Sequence, residues 1–452
     1  MPASPPPNPD RPPAAPPPLL ITGLGLVTPL GRGAWDTFAA LLAGRTLADR
    51  APHLPDPIGS VDLVRALGCV ANAQHDPVDP AIAIGEAAAR EAATMADVSL
   101  AGLPTWIATS KGALAVATPP AALPRLVQPD HPAAHPATGE PLPPSDPRAW
   151  VARPHLAEAF ALGPHATLTH HLARRTGLTP VTHQVAACAS SLVALHHAAQ
   201  HLRRLPEPQP GASVSALVLT ADAALLPSVI ASYHRLGALA PLTRDGYRQT
   251  PLAAERHGFM LAETAAAVVL TRRHPSDTSE TKNQKSAIEL VDTATANETY
   301  DFIRPSPDMP ALRHLAADLF AGRKIDCLHP HAPGTAAHDP AELQALADVL
   351  NAEREMTQEQ DPVQVYAAKG AIGHAMGASG LASLVLAALC LTTGKRPPMP
   401  WLAAPNARPM TPCPIPLPAA EQPIPRTGTH AVFAAGFAGH TAGALIARAP
   451  AT

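Results

Sequence analysis

Apolar residues recur at steps of three and four along several stretches of the chain, and short apolar runs separate these stretches. Residues 192, 195, 199, 202 and 205 are leucine or alanine, a spacing that predicts an amphipathic helix over 189–205. The same period predicts helices over 35–42, 81–96, 168–175, 225–236, 311–320 and 340–350. Short apolar runs predict a strand beginning at residue 19 and further strands over 106–110, 181–187, 215–221, 288–291 and 325–328.

Strand and helix alternate on both sides of a polar, charged stretch at 272–285. This alternation predicts an α/β protein with an N-terminal half at 19–271, a linker at 272–285 and a C-terminal half at 286–452. Residues 1–18 are mostly proline and alanine and contain no apolar run of the kind found in a secretory signal. We expect them to form a disordered tail.

Composition narrows the class of protein. The 452 residues are 46% hydrophobic and 15% charged, with a formal charge of −3, which is typical of a soluble globular protein and gives no reason to expect nucleic acid or an anionic membrane as partner. The longest strongly apolar stretch, 381–391, is too short to span a bilayer. The five cysteines show neither disulfide nor metal-ligand spacing, so we expect no metal and a reducing, cytoplasmic location.

Proline is unusually dense between residues 119 and 154. Each proline lacks an N–H donor and restrains the residue before it, so no long helix or strand is expected there. The sequence predicts a loop or an insertion.

A candidate nucleophile lies where a predicted strand meets a predicted helix. Residues 185–191 read Val-Ala-Ala-Cys-Ala-Ser-Ser, which puts Cys188 at the start of the helix predicted over 189–205. Free N–H groups and the helix dipole favour negative charge at such a position, so the pKa of the thiol is expected to fall and the thiol to become nucleophilic. The alternative is a small buried cysteine without a chemical role.

The segment Ala-Cys-Ala-Ser-Ser before an apolar helix resembles the nucleophile motif of β-ketoacyl synthases, the decarboxylating condensing enzymes of the thiolase superfamily. Further motifs of the family lie beyond it. His331 begins His-Ala-Pro-Gly-Thr, which ends at Thr335 and precedes Asp339 and Glu342. The family has His-Gly-Thr-Gly-Thr, with Asp eight and Glu eleven residues beyond the histidine, and both offsets hold here.

Residues 369–380 resemble the family segment Lys-x-x-x-Gly-His-x-x-Gly-Ala-x-Gly and contribute Lys369 and His374. Residues 251–263 resemble Pro-Phe-Asp-x-x-Arg-x-Gly-Phe-x-x-Gly-Glu. Near the C-terminus, residues 436–441 resemble Gly-Phe-Gly-Gly-Thr-Asn and contribute Phe437. Weighed alone, each histidine is as easily a helix cap or a strand-end residue, and Phe437 a core aromatic, because these residue types often have structural roles.

The resemblance implies the thiolase-like fold, in which two related α/β halves form five layers, α-β-α-β-α. It also implies a decarboxylative Claisen condensation. Cys188 would accept an acyl chain as a thioester, and His331 and His374 would hold the malonyl thioester and stabilise the enolate. Two histidines, rather than histidine and asparagine, are the mark of the elongating class.

Further roles follow from the same resemblance. Phe437 would gate the thiol, and its backbone N–H would form the oxyanion hole together with that of Cys188. Glu342 would pair with Lys369, and Thr335 would contact the phosphopantetheine arm. Asp339 would support the site. No cofactor is expected to be bound, since the substrates would arrive on the phosphopantetheine of an acyl carrier protein.

Some residues depart from the family pattern and leave alternatives open. Ala332 and Pro333 replace Gly-Thr, and Ala438 puts a Cβ where the family has glycine. One alternative is therefore a non-catalytic or weakly active partner similar to a chain-length factor, although such partners typically lack the cysteine. Another is a coenzyme A-dependent thiolase or acyltransferase, but the second cysteine motif of thiolases is absent around Gly436. The expected assembly is a homodimer or a heterodimer with a paralogous ketosynthase.

Overall fold

The computed structural model describes residues 17–53, 60–71, 76, 78–114, 154–241, 249–274, 288–358, 361–403 and 408–449. Almost all of the predicted tail at 1–18 and of the proline-dense stretch at 119–154 lies outside the described residues, as does most of the predicted linker at 272–285.

The N-terminal half contributes strands and helices in alternation. Its strands are β1 (Leu19–Val27), β2 (Pro104–Ala108), β3 (Thr179–Gln184), β4 (Ser213–Asp222) and β5 (Thr264–Arg273). Its helices are α1 (Ala34–Leu42), α2 (Ser60–Gly68), α3 (Pro80–Ala96), α4 (Pro154–Thr176), α5 (Ser190–Arg204) and α6 (Pro227–Arg235).

The C-terminal half repeats this alternation. Its strands are β6 (Ile288–Asn297), β7 (Cys327–His329), β8 (Gln364–Val365), β9 (Lys395–Arg396), β10 (Gln422–Pro423), β11 (Thr429–Ala435) and β12 (His440–Arg448). Its helices are α7 (Pro310–Phe320), α8 (His338–Thr357), α9 (Lys369–Ile372) and α10 (Ser379–Thr393). Short 3₁₀ turns span Leu47–His53, Met376–Ala378, Pro400–Leu402 and Phe437–Gly439.

The two halves have the same strand topology, a relation that residue identities alone do not reveal. The main sheet has the order β3-β2-β4-β5-β1-β6-β12-β11-β7-β8. In each half the first strand pairs antiparallel with the last, the last pairs antiparallel with its neighbour, and the remaining two pairings are parallel. The halves meet where β1 pairs antiparallel with β6. The chain is therefore a structural duplication.

Five layers result from the packing of the helices. Helix α3 packs on β1, β4 and β5, and helix α7 packs on β6 and β12, so each covers an outer face. Helices α5 and α10 contact strands of both halves and form the middle layer. The predicted α-β-α-β-α fold is confirmed.

The position of α10 in the middle layer explains why its sequence is so apolar. Every residue of Ser379–Leu391 in α10 is buried, because this helix is enclosed by sheet strands on both sides. By length and composition, Met376–Thr393 is the one candidate for a membrane span in the described part of the chain, but 89% of it is buried inside the molecule. That degree of burial is typical of a core helix.

Several predicted elements need correction. The strand predicted as buried over 181–187 is β3, which ends at Gln184 and forms a partly exposed edge of the sheet. Strands β5 and β12 were not predicted, because their alanine-rich sequences show neither alternation nor β-branched enrichment throughout. The predicted start of the linker is also wrong, since residues 272 and 273 still belong to β5.

Candidate active site

The ends of the two middle-layer helices meet at one cavity of about 260 Å³. Helix α5 begins two residues after Cys188, and helix α10 begins five residues after His374. Both side chains line the cavity together with His331, Phe437 and Thr335. The duplicated fold therefore brings together side chains that lie far apart in the sequence.

Cys188 lies on a sharp turn between β3 and α5. Ala187 has a φ of 47°, in the left-handed region, which turns the backbone before the helix. The Ser190 hydroxyl holds the turn, since it accepts a hydrogen bond from Ala186 N at 2.8 Å and donates to Ala187 O at 2.6 Å. The turn directs the Cys188 side chain into the cavity, where it is 7% exposed.

The electrostatic setting of Cys188 differs from the sequence-based expectation. Burial raises the pKa of the thiol to about 12; Lys369 and Lys111 oppose this, and Asp222 adds to it. The expectation that the start of the helix lowers the pKa of this thiol is therefore wrong, because desolvation of a thiolate outweighs the nearby positive charges. The resting site holds a neutral thiol.

His331 lies in a tight loop just after β7. Ala332 has a φ of 36°, and the Glu342 carboxylate accepts hydrogen bonds from His331 N at 2.6 Å and Ala332 N at 2.7 Å. Asp339 accepts from Gly334 N at 2.9 Å. Two carboxylates from the start of α8 thus fix the backbone that carries His331.

Asp339 and Thr335 connect this loop to its surroundings. The second Asp339 oxygen accepts from Leu252 N at 2.8 Å, and burial raises the pKa of the Asp339 carboxyl to about 6. Thr335 lines the cavity, and its hydroxyl accepts from His338 N at 3.3 Å. Asp339 is therefore a structural brace, while Thr335 forms part of the cavity wall.

Lys369 lies behind His331 at the start of α9. Its Nζ donates to His331 O and lies 3.5 Å from His331 Nδ1. Burial lowers the pKa of Lys369 to about 8, although Glu342, Cys188 and Asp339 favour its charged form. Among the ion pairs of the described residues none joins Lys369 to Glu342, so the predicted direct pair is wrong. Glu342 attracts the lysine across the His331 loop instead.

His374 faces His331 across the cavity, with ring centroids 5.4 Å apart. Its Nδ1 is hydrogen-bonded to Ser379 Oγ at 2.8 Å, and its ring packs edge to face on Phe259 at 4.7 Å. Burial, aided by the positive charge of Lys369, lowers the pKa values of both His331 and His374 well below 6.5. Both rings are therefore neutral at physiological pH.

The Gly436–Phe437 segment forms another wall of the cavity. A Cβ on Gly436 would lie 2.9 Å from Cys188 N, so only glycine allows this close approach. Phe437 stacks on Tyr233 with centroids 6.2 Å apart. Ala438 adopts a φ of 60° and donates its N–H to Phe302 O at 2.8 Å. Its Cβ is thus accommodated at the cost of a left-handed backbone.

The segment at 251–263 is hydrogen-bonded to the loop that carries Thr335. Arg256 donates to Ala253 O at 2.7 Å and to Thr335 O at 3.3 Å. Gly258 has a φ of 117°, and a Cβ there would meet Ala238 O at 2.3 Å. These contacts are structural, because they hold the backbone of the loop that carries Thr335.

Several residues near the cavity were not predicted. Asp222, at the end of β4, accepts hydrogen bonds from Thr109 Oγ1 and from the N–H groups of residues 110 and 111. Ser379 orients His374. His338 packs against His331 at 5.0 Å between centroids, and its Nε2 lies 3.4 Å from Glu342 Oε2. Asp222 could have been singled out because it directly follows an apolar strand. Ser379 lies inside the motif at 369–380, and His338 lies between Thr335 and Asp339.

Solved structures share the overall fold. A type II polyketide ketosynthase in complex with its acyl-carrier protein superposes with a TM-score of 0.71 and 19% identity, covering 96% of this chain and 100% of that one. The ishigamide ketosynthase/chain length factor gives a TM-score of 0.67 and 20% identity over 96% of this chain and 100% of that one. These likenesses define the class of fold as thiolase-like.

Sequence comparison identifies the family. The profile for the β-ketoacyl synthase N-terminal domain matches residues 166–276, and the profile for the C-terminal domain matches residues 289–402. The chain belongs to the β-ketoacyl synthase family.

Curated relatives are consistent with this family. The 6-methylsalicylic acid synthase of Penicillium patulum is 28% identical over 232 residues, which cover 51% of this chain and 12% of that protein. The putative mitochondrial 3-oxoacyl-[acyl-carrier-protein] synthase of Schizosaccharomyces pombe is 25% identical over 238 residues, or 50% of this chain and 53% of that protein. The first of these matches thus spans only about an eighth of its relative.

Proposed function

We propose that this chain is a catalytic ketosynthase that joins an acyl thioester to a malonyl unit carried on an acyl carrier protein, in fatty-acid or polyketide-type synthesis. The observation that carries the proposal is the convergence of Cys188, His331 and His374 on one cavity, with Lys369 behind His331. A thiol, two neutral imidazoles and a buried cation are the groups that the reaction requires.

In the first half-reaction, the sulfur of Cys188 attacks the carbonyl carbon of the acyl thioester. The thiol proton passes to solvent, and the departing thiolate of the carrier takes up a proton from solvent. Because the pKa of Cys188 is raised to about 12, removal of this proton must accompany the attack. The N–H groups of Cys188 and Phe437 stabilise the oxyanion of the tetrahedral intermediate.

In the second half-reaction, a malonyl thioester loses CO₂ and its α-carbon attacks the acyl carbonyl on Cys188. The acyl–sulfur bond then breaks, and the Cys188 sulfur leaves as a thiolate that takes up a proton from solvent. The thioester oxygen becomes negative during decarboxylation, so a site that donates hydrogen bonds to it accelerates the step. The charged Lys369 near Nδ1 of His331 favours the tautomer in which Nε2 carries the proton. Ser379 can set the same tautomer of His374 by donating to Nδ1.

A second candidate is a weakly active or non-catalytic partner of another ketosynthase. The buried, neutral thiol of Cys188 and the replacement of a hydroxyl by Pro333 at the cavity favour it. Against it stands the complete set of cysteine and two histidines. We favour the catalytic function for this reason.

The experiment separates the two half-reactions. The full chain is incubated with a panel of acyl carriers, acylation is followed by mass spectrometry, and CO₂ release from malonyl carrier protein is followed separately. His374→Ala should become acylated yet release CO₂ about 10²–10³-fold more slowly, and Cys188→Ser should not form the thioester. If His374→Ala condenses at the wild-type rate, the proposed decarboxylation site is wrong. A wild type that never becomes acylated would favour the non-catalytic partner.

The proposed partners are an acyl carrier protein and a second ketosynthase chain, identical or paralogous. The family supports both, and the solved ketosynthases with a carrier protein and with a chain length factor supply the precedent. Sedimentation of the 46.7 kDa chain at micromolar concentration tests the second. A chain that sediments as a monomer, both by itself and when mixed with its paralogues, would contradict the proposed assembly.

A further inference from the structure

A cluster of metal-ligating side chains lies outside the candidate active site. Cys327, His329 and His430 are each fully buried, and one potential ligand atom from each lies within 4.8 Å of the other two. Cys327 and His329 point to the same face of β7 because they are two residues apart. His430 lies on the neighbouring β11, directly opposite Cys327 in the parallel register. The three side chains therefore share one face of the sheet.

The hydrogen bonding within this cluster is incomplete. His329 Nε2 and His430 Nδ1 are 3.2 Å apart and their rings are stacked. His329 Nδ1 and His430 Nε2 have no hydrogen-bond partner among the described residues. An orphaned buried polar atom is unfavourable by about 1–3 kcal/mol, so the described residues satisfy these two rings only in part. The two nitrogens that face each other at 3.2 Å, His329 Nε2 and His430 Nδ1, are the ones placed to share a metal ion.

The spacing also suits a metal. Two nitrogens that bind one zinc ion at about 2.0–2.1 Å in tetrahedral geometry are roughly 3.3 Å apart, close to the 3.2 Å observed here. A thiolate with two imidazoles is a donor set for soft and borderline ions.

We propose that Cys327, His329 and His430 bind one d¹⁰ metal ion, Zn²⁺ or Cu⁺. Binding forms the metal–sulfur bond and releases the thiol proton of Cys327 to solvent. Burial raises the pKa of the Cys327 thiol to about 12, and the positive charge of the buried Arg396 opposes this only in part. With one thiolate, Cu⁺ leaves the ligand set neutral and Zn²⁺ leaves it singly positive.

The position of the cluster indicates a structural role. No ligand is exposed, so an ion held here is shielded from solvent, which favours a structural over a catalytic role. It joins β7, which leads into His331, to β11, which leads into Gly436 and Phe437. An ion here fixes the spacing of two strands that present opposite walls of the cavity. The proposal does not depend on the chain being catalytically active.

Metal analysis of the full-length chain is the direct test. The chain is purified, stripped with chelator in mild denaturant, and refolded with Zn²⁺ or, without oxygen, with Cu⁺. We expect one bound ion per chain from one of the two salts, and a thermal midpoint that rises with the concentration of that ion. Cys327→Ser and His430→Leu should lose the ion, whereas the control Cys69→Ser should retain it.

X-ray absorption on the metal-loaded wild type makes the test independent of variants that fail to fold. For zinc we expect one sulfur at about 2.3 Å and nitrogens at about 2.0–2.1 Å. A folded wild type that binds neither ion, an absorption spectrum without sulfur, or full metal retention by both variants would overturn the proposal. In the first case the two histidines simply share a hydrogen bond.

Discussion

Replacing Lys369 by methionine should make the protein more stable and less active. The lysine is 3% exposed, and burial lowers its pKa from 10.5 to about 8. This change corresponds to about 3 kcal/mol of unfavourable free energy for the charged form at pH 7. The hydrogen bond from Nζ to His331 O offsets about 1 kcal/mol of it. We therefore expect Lys369→Met, of similar length and shape, to be about 2 kcal/mol more stable at pH 7.

The sign of the pH dependence follows from the same pKa. Between about pH 8 and 10.5 the unfolded chain keeps the lysine proton while the folded chain has lost it. The stability of the wild type contributed by this group therefore rises over that range, and the advantage of Lys369→Met should shrink and vanish near pH 10.5. Urea unfolding of both proteins at several pH values from 7 to 10 measures the difference.

Activity should change in the opposite direction. Without the cation near Nδ1, His331 loses the group that fixes its tautomer, and CO₂ release from malonyl carrier protein should fall by about 10²-fold. For the wild type, the same rate should decline above about pH 8 as Lys369 loses its proton. Lys395→Met is the control, because Lys395 is exposed and pairs with Glu421 at the surface. It should change stability by less than about 0.5 kcal/mol. A stability difference between wild type and Lys369→Met that is equal at pH 7 and pH 10 would refute the reasoning.

Three further predictions concern the cavity walls. Because burial raises the pKa of Cys188 to about 12, its alkylation by iodoacetamide should accelerate about tenfold per pH unit from 7 to 10, and a plateau near pH 8, seen by peptide mapping, would contradict this. Pro333→Thr adds a hydroxyl at the cavity and should lower KM for carrier substrates more than it changes kcat; steady-state kinetics in which only kcat changes would count against arm binding there. Gly436→Ala places a Cβ 2.9 Å from Ala186 O and from Cys188 N, so acylation should slow by about 10²-fold or more in single-turnover assays. Gly33→Ala, whose Cβ would come no closer than 3.2 Å to its neighbours, the side chains of Glu91 and Asp36, should acylate normally, and equal rates for the two alanine variants would show that the contact is unimportant.

The site residues could be named from the sequence because each belongs to a short motif with fixed spacing. Cys188, His331, Lys369 and His374 were predicted, and all four lie together at or beside the cavity. Their catalytic roles stay predictions until the half-reactions are measured. The predicted pairing of Glu342 with Lys369 failed because the offset along the chain does not say which donors reach a carboxylate. The N–H groups of the His331 loop reach Glu342 first.

The sequence by itself determined the α/β class, most of the helices and the identity of the candidate site residues, because periodicity and motif spacing are local properties of the chain. Tertiary structure alone decided three other things. Strand pairing revealed the duplication, since the two halves share one strand order although their residue identities do not reveal it. Enclosure raised the pKa of Cys188 against the expectation from its helix start. The parallel register of β7 and β11 brought His430 beside Cys327 across about a hundred residues, and no spacing along the chain encodes such a contact.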